Sequence, residues 1–96
     1  MDDRASDGRT KTAVGERLRL TREALGIAQN DFSSRAGITS NAYNQYEKGV
    51  NLPSLDAAHS LCDEYQLTLD WIYRGDPSGL RYQLASAIKA LRAVRR

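Results

Sequence analysis

Apolar residues along the 96-residue chain recur at helical spacing in short bursts, most of them closed by a glycine. The opening MDDRASDGRTKT is polar and without period, which predicts a mobile N-terminal arm over residues 1–12. Val14, Leu18, Thr21 and Leu25 then mark one face of a first helix, with Thr12 as its N-cap and Gly26 as its stop. A second short helix runs from about Gln29 to Ala36, buries Phe32 and stops at Gly37. Thr39 or Ser40 caps a third, which continues to Lys48 and stops at Gly49. Pro53 and Ser54 open a fourth, with Leu55, Ala58, Leu61, Cys62 and Tyr65 on one face. A fifth, shorter one holds Leu69, Trp71 and Ile72 and ends at Gly75.

No stretch alternates as a strand requires, so the pattern predicts a compact all-α domain over residues 13–75. Residues 76–96 add a last helix starting around Pro77, with Asp76 as N-cap. Its stripe, Leu80, Leu84, Ile88 and Leu91, needs cover. It either folds back on its own domain or packs on a second copy, and these four residues are the candidate dimer contact.

Composition narrows the function. With 41% hydrophobic and 27% charged residues the chain reads as globular. The longest apolar run, Trp71-Ile72-Tyr73, is far too short for a membrane span or the core of a secretory signal. A single cysteine forms no internal bridge, which makes a reducing cytoplasmic setting the expectation. With one histidine beside it, the usual zinc sites lack ligands, and neither a metal nor a cofactor is expected. The net charge is only +2; residues 76–96, one Asp against five Lys/Arg, are the basic part. Charge alone therefore makes no case for a polyanion partner.

The informative stretch is Gln29–Gly49, QNDFSSRAGITSNAYNQYEKG. Two short helices flank a turn at Ala36-Gly37-Ile38-Thr39, the anatomy of a helix-turn-helix, in which the first helix holds the second steeply enough to enter a major groove. Tyr43 and Tyr46 face inward with Phe32 and Ile38; Ser40, Asn41, Asn44 and Gln45 face outward. Amide side chains pair a donor with an acceptor, as bidentate contact with adenine requires. A merely solvated helix face would favour Glu and Lys instead.

Residues 14–75 resemble the phage-repressor and Cro-like, or Xre, helix-turn-helix family. The matching pattern is LRLTREALGIAQNDF, then AGIT, then YEKGVNLPSL, then LTLDWIYRG. The resemblance implies a five-helix lambda-repressor-like DNA-binding domain, here with an additional C-terminal helix. It assigns base reading to Ser40, Asn41, Asn44 and Gln45, and phosphate or backbone contacts to Gln29, Thr39, Lys48 and Asn51. It also pairs Arg22 with Glu47 in a structural ion pair, which agrees with the position of Arg22 beside the apolar stripe. Two departures stand out: Ala28 replaces a capping Ser or Thr, and Ser33 replaces a small apolar residue.

Other constellations are weaker. His59, Cys62 and Asp63 share a helix, but no second cluster completes a metal site, and no orienting group completes a nucleophile–base pair. Asp63 and Glu64 are adjacent and diverge. Arg4, Arg9 and Lys11 could form a groove-reaching arm, although interspersed Asp residues weaken it; Lys89, Arg92 and Arg96 suit a helix C-terminus. The sequence therefore predicts a non-enzymatic, sequence-specific regulator of transcription, a repressor in form. It would bind an inverted-repeat operator in double-stranded DNA as a homodimer. Alternatives are an antitoxin-type regulator with a toxin partner and a protein-interaction adaptor that keeps only the fold.

Overall fold

The computed structural model of the chain describes residues 8–94. In order they form α1 (Lys11–Ala24), α2 (Gln29–Arg35), α3 (Ser40–Glu47), α4 (Leu55–Tyr65), a π-helical turn (Asp70–Arg74) and α5 (Tyr82–Val94), with no strand among the described residues. Three helix starts coincide with hydroxyl residues. Thr10, Thr39 and Ser54 have extended backbones, and each accepts a hydrogen bond from the N–H three residues on, at 3.0, 3.2 and 3.1 Å. The first helix thus starts at Lys11, capped by Thr10, and not after Thr12. Lys11 and Thr12, expected in the arm over residues 1–12, are therefore helical; residues 1–7, Arg4 among them, lie outside the described residues.

α1 is the element on which the rest is assembled, meeting α3, the π turn and α5. Val14, Leu18 and Thr21 are buried as their spacing predicts. Against them sits an aromatic group: Phe32 stacks on Tyr65 at 4.1 Å between centroids and meets Tyr43 at 5.3 Å. The Tyr65 hydroxyl donates to the Phe32 carbonyl at 2.7 Å, so α4 is tied to α2 by a bond as well as by area. Trp71 Nε1 donates to Thr21 Oγ1 at 2.9 Å, and that hydroxyl donates to the Arg17 carbonyl at 2.7 Å. Thr21 thus sits on an apolar stripe with its polar atom satisfied.

Two further expectations are corrected, and the alternative left open for the last stripe is decided. Leu55 is 58% exposed, because it is the first residue of α4 and the buried face begins at Ala58. The last helix starts at Tyr82, five residues later than Pro77. Asp76 Oδ1 does accept from the Ser78 N–H at 3.0 Å, but the chain then makes a single turn, closed by the Leu80 N–H on the Pro77 carbonyl. Ser78 and Gly79 are poor helix formers, which stops the turn from propagating. Finally, Leu80, Leu84 and Ile88 are all less than 10% exposed and belong to the same core as Leu18 and Trp71. The stripe folds back on its own domain. Of the four candidate dimer residues only Leu91, half-buried, keeps surface for another molecule.

Gly15 has a role that its place in a helix interior conceals. A β-carbon there would collide with the Tyr46 carbonyl and lie 2.7 Å from the Glu47 carbonyl oxygen. The C-terminal end of α3 therefore rests directly on the backbone of α1. Gly15→Ala should destabilise by about 1–3 kcal/mol through overpacking, despite the better helix propensity of alanine. In the opposite direction, Ala28 has the extended backbone of an N-cap and makes no side-chain cap bond. Ala28→Ser should stabilise by about 1 kcal/mol. Chemical denaturation at fixed pH checks both; an unchanged Gly15→Ala midpoint would contradict the close approach.

Candidate nucleic-acid interface

The turn between α2 and α3 is set by Gly37, at φ +71°. No atom lies within 4 Å of where its β-carbon would stand, so the requirement is conformational rather than spatial. The N–H of Gly37 bonds the Ser34 carbonyl at 3.0 Å and that of Ile38 bonds the Ser33 carbonyl at 2.9 Å, which closes α2. The departure at Ser33 is absorbed locally: its buried hydroxyl donates to the Asn30 carbonyl at 3.1 Å. Thr39 then caps α3.

Tyr43 and Tyr46 turn into the core, at 0% and 9% exposure. On the other side, Ser40 and Asn41 are exposed, while Asn44 and Gln45 are half-buried. None of these four side chains makes a hydrogen bond among the described residues. Their donors and acceptors face outward uncommitted, along two turns of one helix. Lys48 caps the end of α3 and is exposed, as is Asn51 beyond it. Thr39 uses an oxygen lone pair on the Ala42 N–H and keeps its hydroxyl proton to donate.

Arg22 and Glu47 meet across α1 and α3. Arg22 Nε donates to Glu47 Oε2 at 2.7 Å and Nη2 to Oε1 at 3.2 Å, a two-point pair with side chains 14% and 6% exposed. Arg22 Nη1 also donates to the Ile27 carbonyl at 3.1 Å. Gln29 joins the pair: its Nε2 donates to Glu47 Oε1 at 3.0 Å. Residue spacing did not reveal this last bond, and it commits one hydrogen of the amide expected to hold a phosphate.

Burial alone would raise the Glu47 carboxyl. Arg22, the Tyr43 phenol and Gln29 more than offset this and hold it below the usual carboxylate range. The Arg22 guanidinium is held up by its bond to Glu47 against the effect of burial. Burial, then the nearby Glu47 carboxylate, push the Tyr43 phenol well above the ordinary tyrosine value. Its hydroxyl lies beside the pair but outside hydrogen-bonding geometry.

Three exposed apolar side chains follow α3; periodicity placed Leu55 on the buried face of α4 and gave no role to Val50 or Leu52. Val50, Leu52 and Leu55 are 51%, 43% and 58% exposed, next to Lys48 and Asn51. Val50 and Leu52 lie in the loop before α4, and Leu55 is the first residue of that helix. The weaker constellations come apart. His59 and Asp63 are exposed, whereas Cys62 leans on the core, where burial and then Asp63 push its thiol pKa up, the wrong direction for a nucleophile. No three His, Cys, Asp or Glu side chains gather to hold a metal among the described residues.

The ion pair gives a stability prediction with a definite sign. Arg22→Met leaves a buried carboxylate unpaired and should cost about 3–5 kcal/mol in denaturation experiments. Because the folded Glu47 pKa lies below its unfolded value of about 4.3, its contribution is complete above that value and lost as pH falls through the folded pKa. Glu47→Gln should therefore be destabilised near neutrality and show a shallower loss of stability in acid. An unchanged acid limb would contradict the assignment.

Comparison with known proteins agrees with this geometry. A family model described as helix-turn-helix matches residues 18–72, more than half of the chain, from the middle of α1 into the π turn. No curated protein and no solved structure matches it. No helix among the described residues is long and apolar enough to cross a membrane. The helical framework and the family model agree: the chain belongs to the Xre, phage-repressor and Cro-like helix-turn-helix family, a family of DNA-binding regulators.

Proposed function

We propose that the protein is a sequence-specific transcriptional repressor that inserts α3 into the major groove of an inverted-repeat operator as a homodimer. The observation that carries this reading is the outward face of α3. Ser40, Asn41, Asn44 and Gln45 are uncommitted within the chain, on a helix whose two ends are fixed by the Gly37 turn and by Glu47. Pre-positioned amides lose little conformational freedom when they engage base edges, and Asn or Gln pairs best with adenine. Gln29 offers its second amide hydrogen to a phosphate, Thr39 its hydroxyl proton and Lys48 its charge, with Asn51 just beyond.

Two-fold symmetry would set the two α3 helices about 34 Å apart, one turn of DNA. With Leu80, Leu84 and Ile88 inside the subunit, the exposed Val50, Leu52 and Leu55 supply apolar surface for a second copy beside the DNA-facing end of α3. No catalytic group is required.

Binding to duplex DNA should show a steep linear fall of log affinity with log salt, and a selected site should outcompete random duplex. Asn44→Ala or Gln45→Ala should relax preference at defined base positions by about 1–3 kcal/mol. Lys48→Ala should weaken all sequences alike and flatten the salt slope. Uniform loss from the amide substitutions would overturn the assigned reading face. Absence of both salt dependence and site preference would favour a protein-interaction adaptor.

A further inference from the structure

Away from the α2–α3 turn, α5 and the segment before it enclose a cavity of about 390 Å³ that opens to solvent. Its walls are Trp71, Pro77, Leu80 and Ile88, and its cations are Lys89 and Arg92. The size lies within the range of small-molecule sites, and the apolar walls with a few polar groups match their usual make-up. No acidic side chain lines it.

The charge around Trp71 is unbalanced. The Arg92 guanidinium lies 5.8 Å from the centre of the indole, and that of Arg17 lies 5.7 Å from it. Arg17 is only 6% exposed and has no carboxylate partner among the described residues. Its Nη2 donates to the carbonyls of Gly8 and Ile72, and its Nε is buried without a hydrogen-bond partner. Burial, then repulsion from Arg92, lower the Arg17 pKa. Two guanidiniums sharing one indole repel each other, and an anion at the rim relieves that repulsion while its apolar part covers Leu80 and Ile88.

We propose that this cavity binds a small organic carboxylate with an apolar body, the carboxylate at Lys89 and Arg92 and the body against Trp71, Leu80 and Ile88. The site shares no residue with the DNA-facing surface of α3, so its occupancy is measurable without DNA. Both cations are exposed, which lets them be replaced without disturbing the core.

Trp71 is the only tryptophan in the chain and reports directly on the site. Titration with octanoate should change its emission saturably, with acetate and 1-octanol each binding at least about tenfold more weakly, a difference of about 1.4 kcal/mol. The double substitution Lys89→Gln and Arg92→Gln should weaken octanoate to the level of 1-octanol while leaving the circular dichroism spectrum unchanged. Ala85→Trp, at the cavity wall, introduces a second indole, so octanoate binding to it is read by calorimetry and should be lost. Equal affinity for 1-octanol, a response that does not saturate, or unchanged octanoate binding by the double variant would overturn the proposal.

Discussion

The bond between Arg22 and Glu47 organises the helix-turn-helix half of the molecule. Glu47 is the last residue of α3, Arg22 lies near the end of α1, and Gln29, which opens α2, donates to the same carboxylate. One carboxylate therefore joins the three helices whose relative placement decides where α3 points. The pair is nearly dry, so it contributes little net stability compared with an apolar replacement, but breaking it from one side is costly. Its value lies in direction: a two-point guanidinium–carboxylate contact tolerates little rotation, whereas an apolar contact would allow α3 to slide.

Packing reinforces that choice. Gly15 lets the carbonyls at the end of α3 approach α1, and Phe32, Tyr43 and Tyr65 fill the space between α2, α3 and α4. On the far side of α1, the π turn and α5 close the core through Trp71, Leu84 and Ile88. The C-terminal helix is thus part of the same folding unit as the helix-turn-helix. Burial of its leucines, rather than a second subunit, supplies the cover that its stripe requires.

Much of this was legible in the residues. Helical spacing located the first four helices; a glycine marked the end of the first three, whereas α4 ends at Gln66 with φ +57°, which its residue type did not announce. Phe32, Tyr43 and Trp71 announced the core, since aromatic residues at helical spacing have few other uses in so small a domain. The errors are local. Thr10 and Thr12 are both competent caps, and only the structure shows which hydroxyl meets an N–H. Asp76-Pro77 looks like a helix start, yet Ser78 and Gly79 let the turn close on itself. Leu55 fits the periodicity of α4 but sits ahead of its buried face. The bond from Gln29 to Glu47 and the close approach at Gly15 depend on tertiary placement, which periodicity does not encode. Gly15 did carry a signal, since glycine in a helix interior costs about 1 kcal/mol unless a neighbour needs the space.

The proposed function rests on the contrast between the two faces of α3. One is committed to the core; the other presents hydroxyl and amide groups that satisfy no partner among the described residues. The most direct test is the nuclear magnetic resonance spectrum of the side-chain amides of Asn41, Asn44 and Gln45 as a selected duplex is added. If α3 reads base edges, these resonances shift and sharpen into slowly exchanging, base-bonded signals. Unmoved α3 amides, with the shifts gathered on another surface, would contradict it.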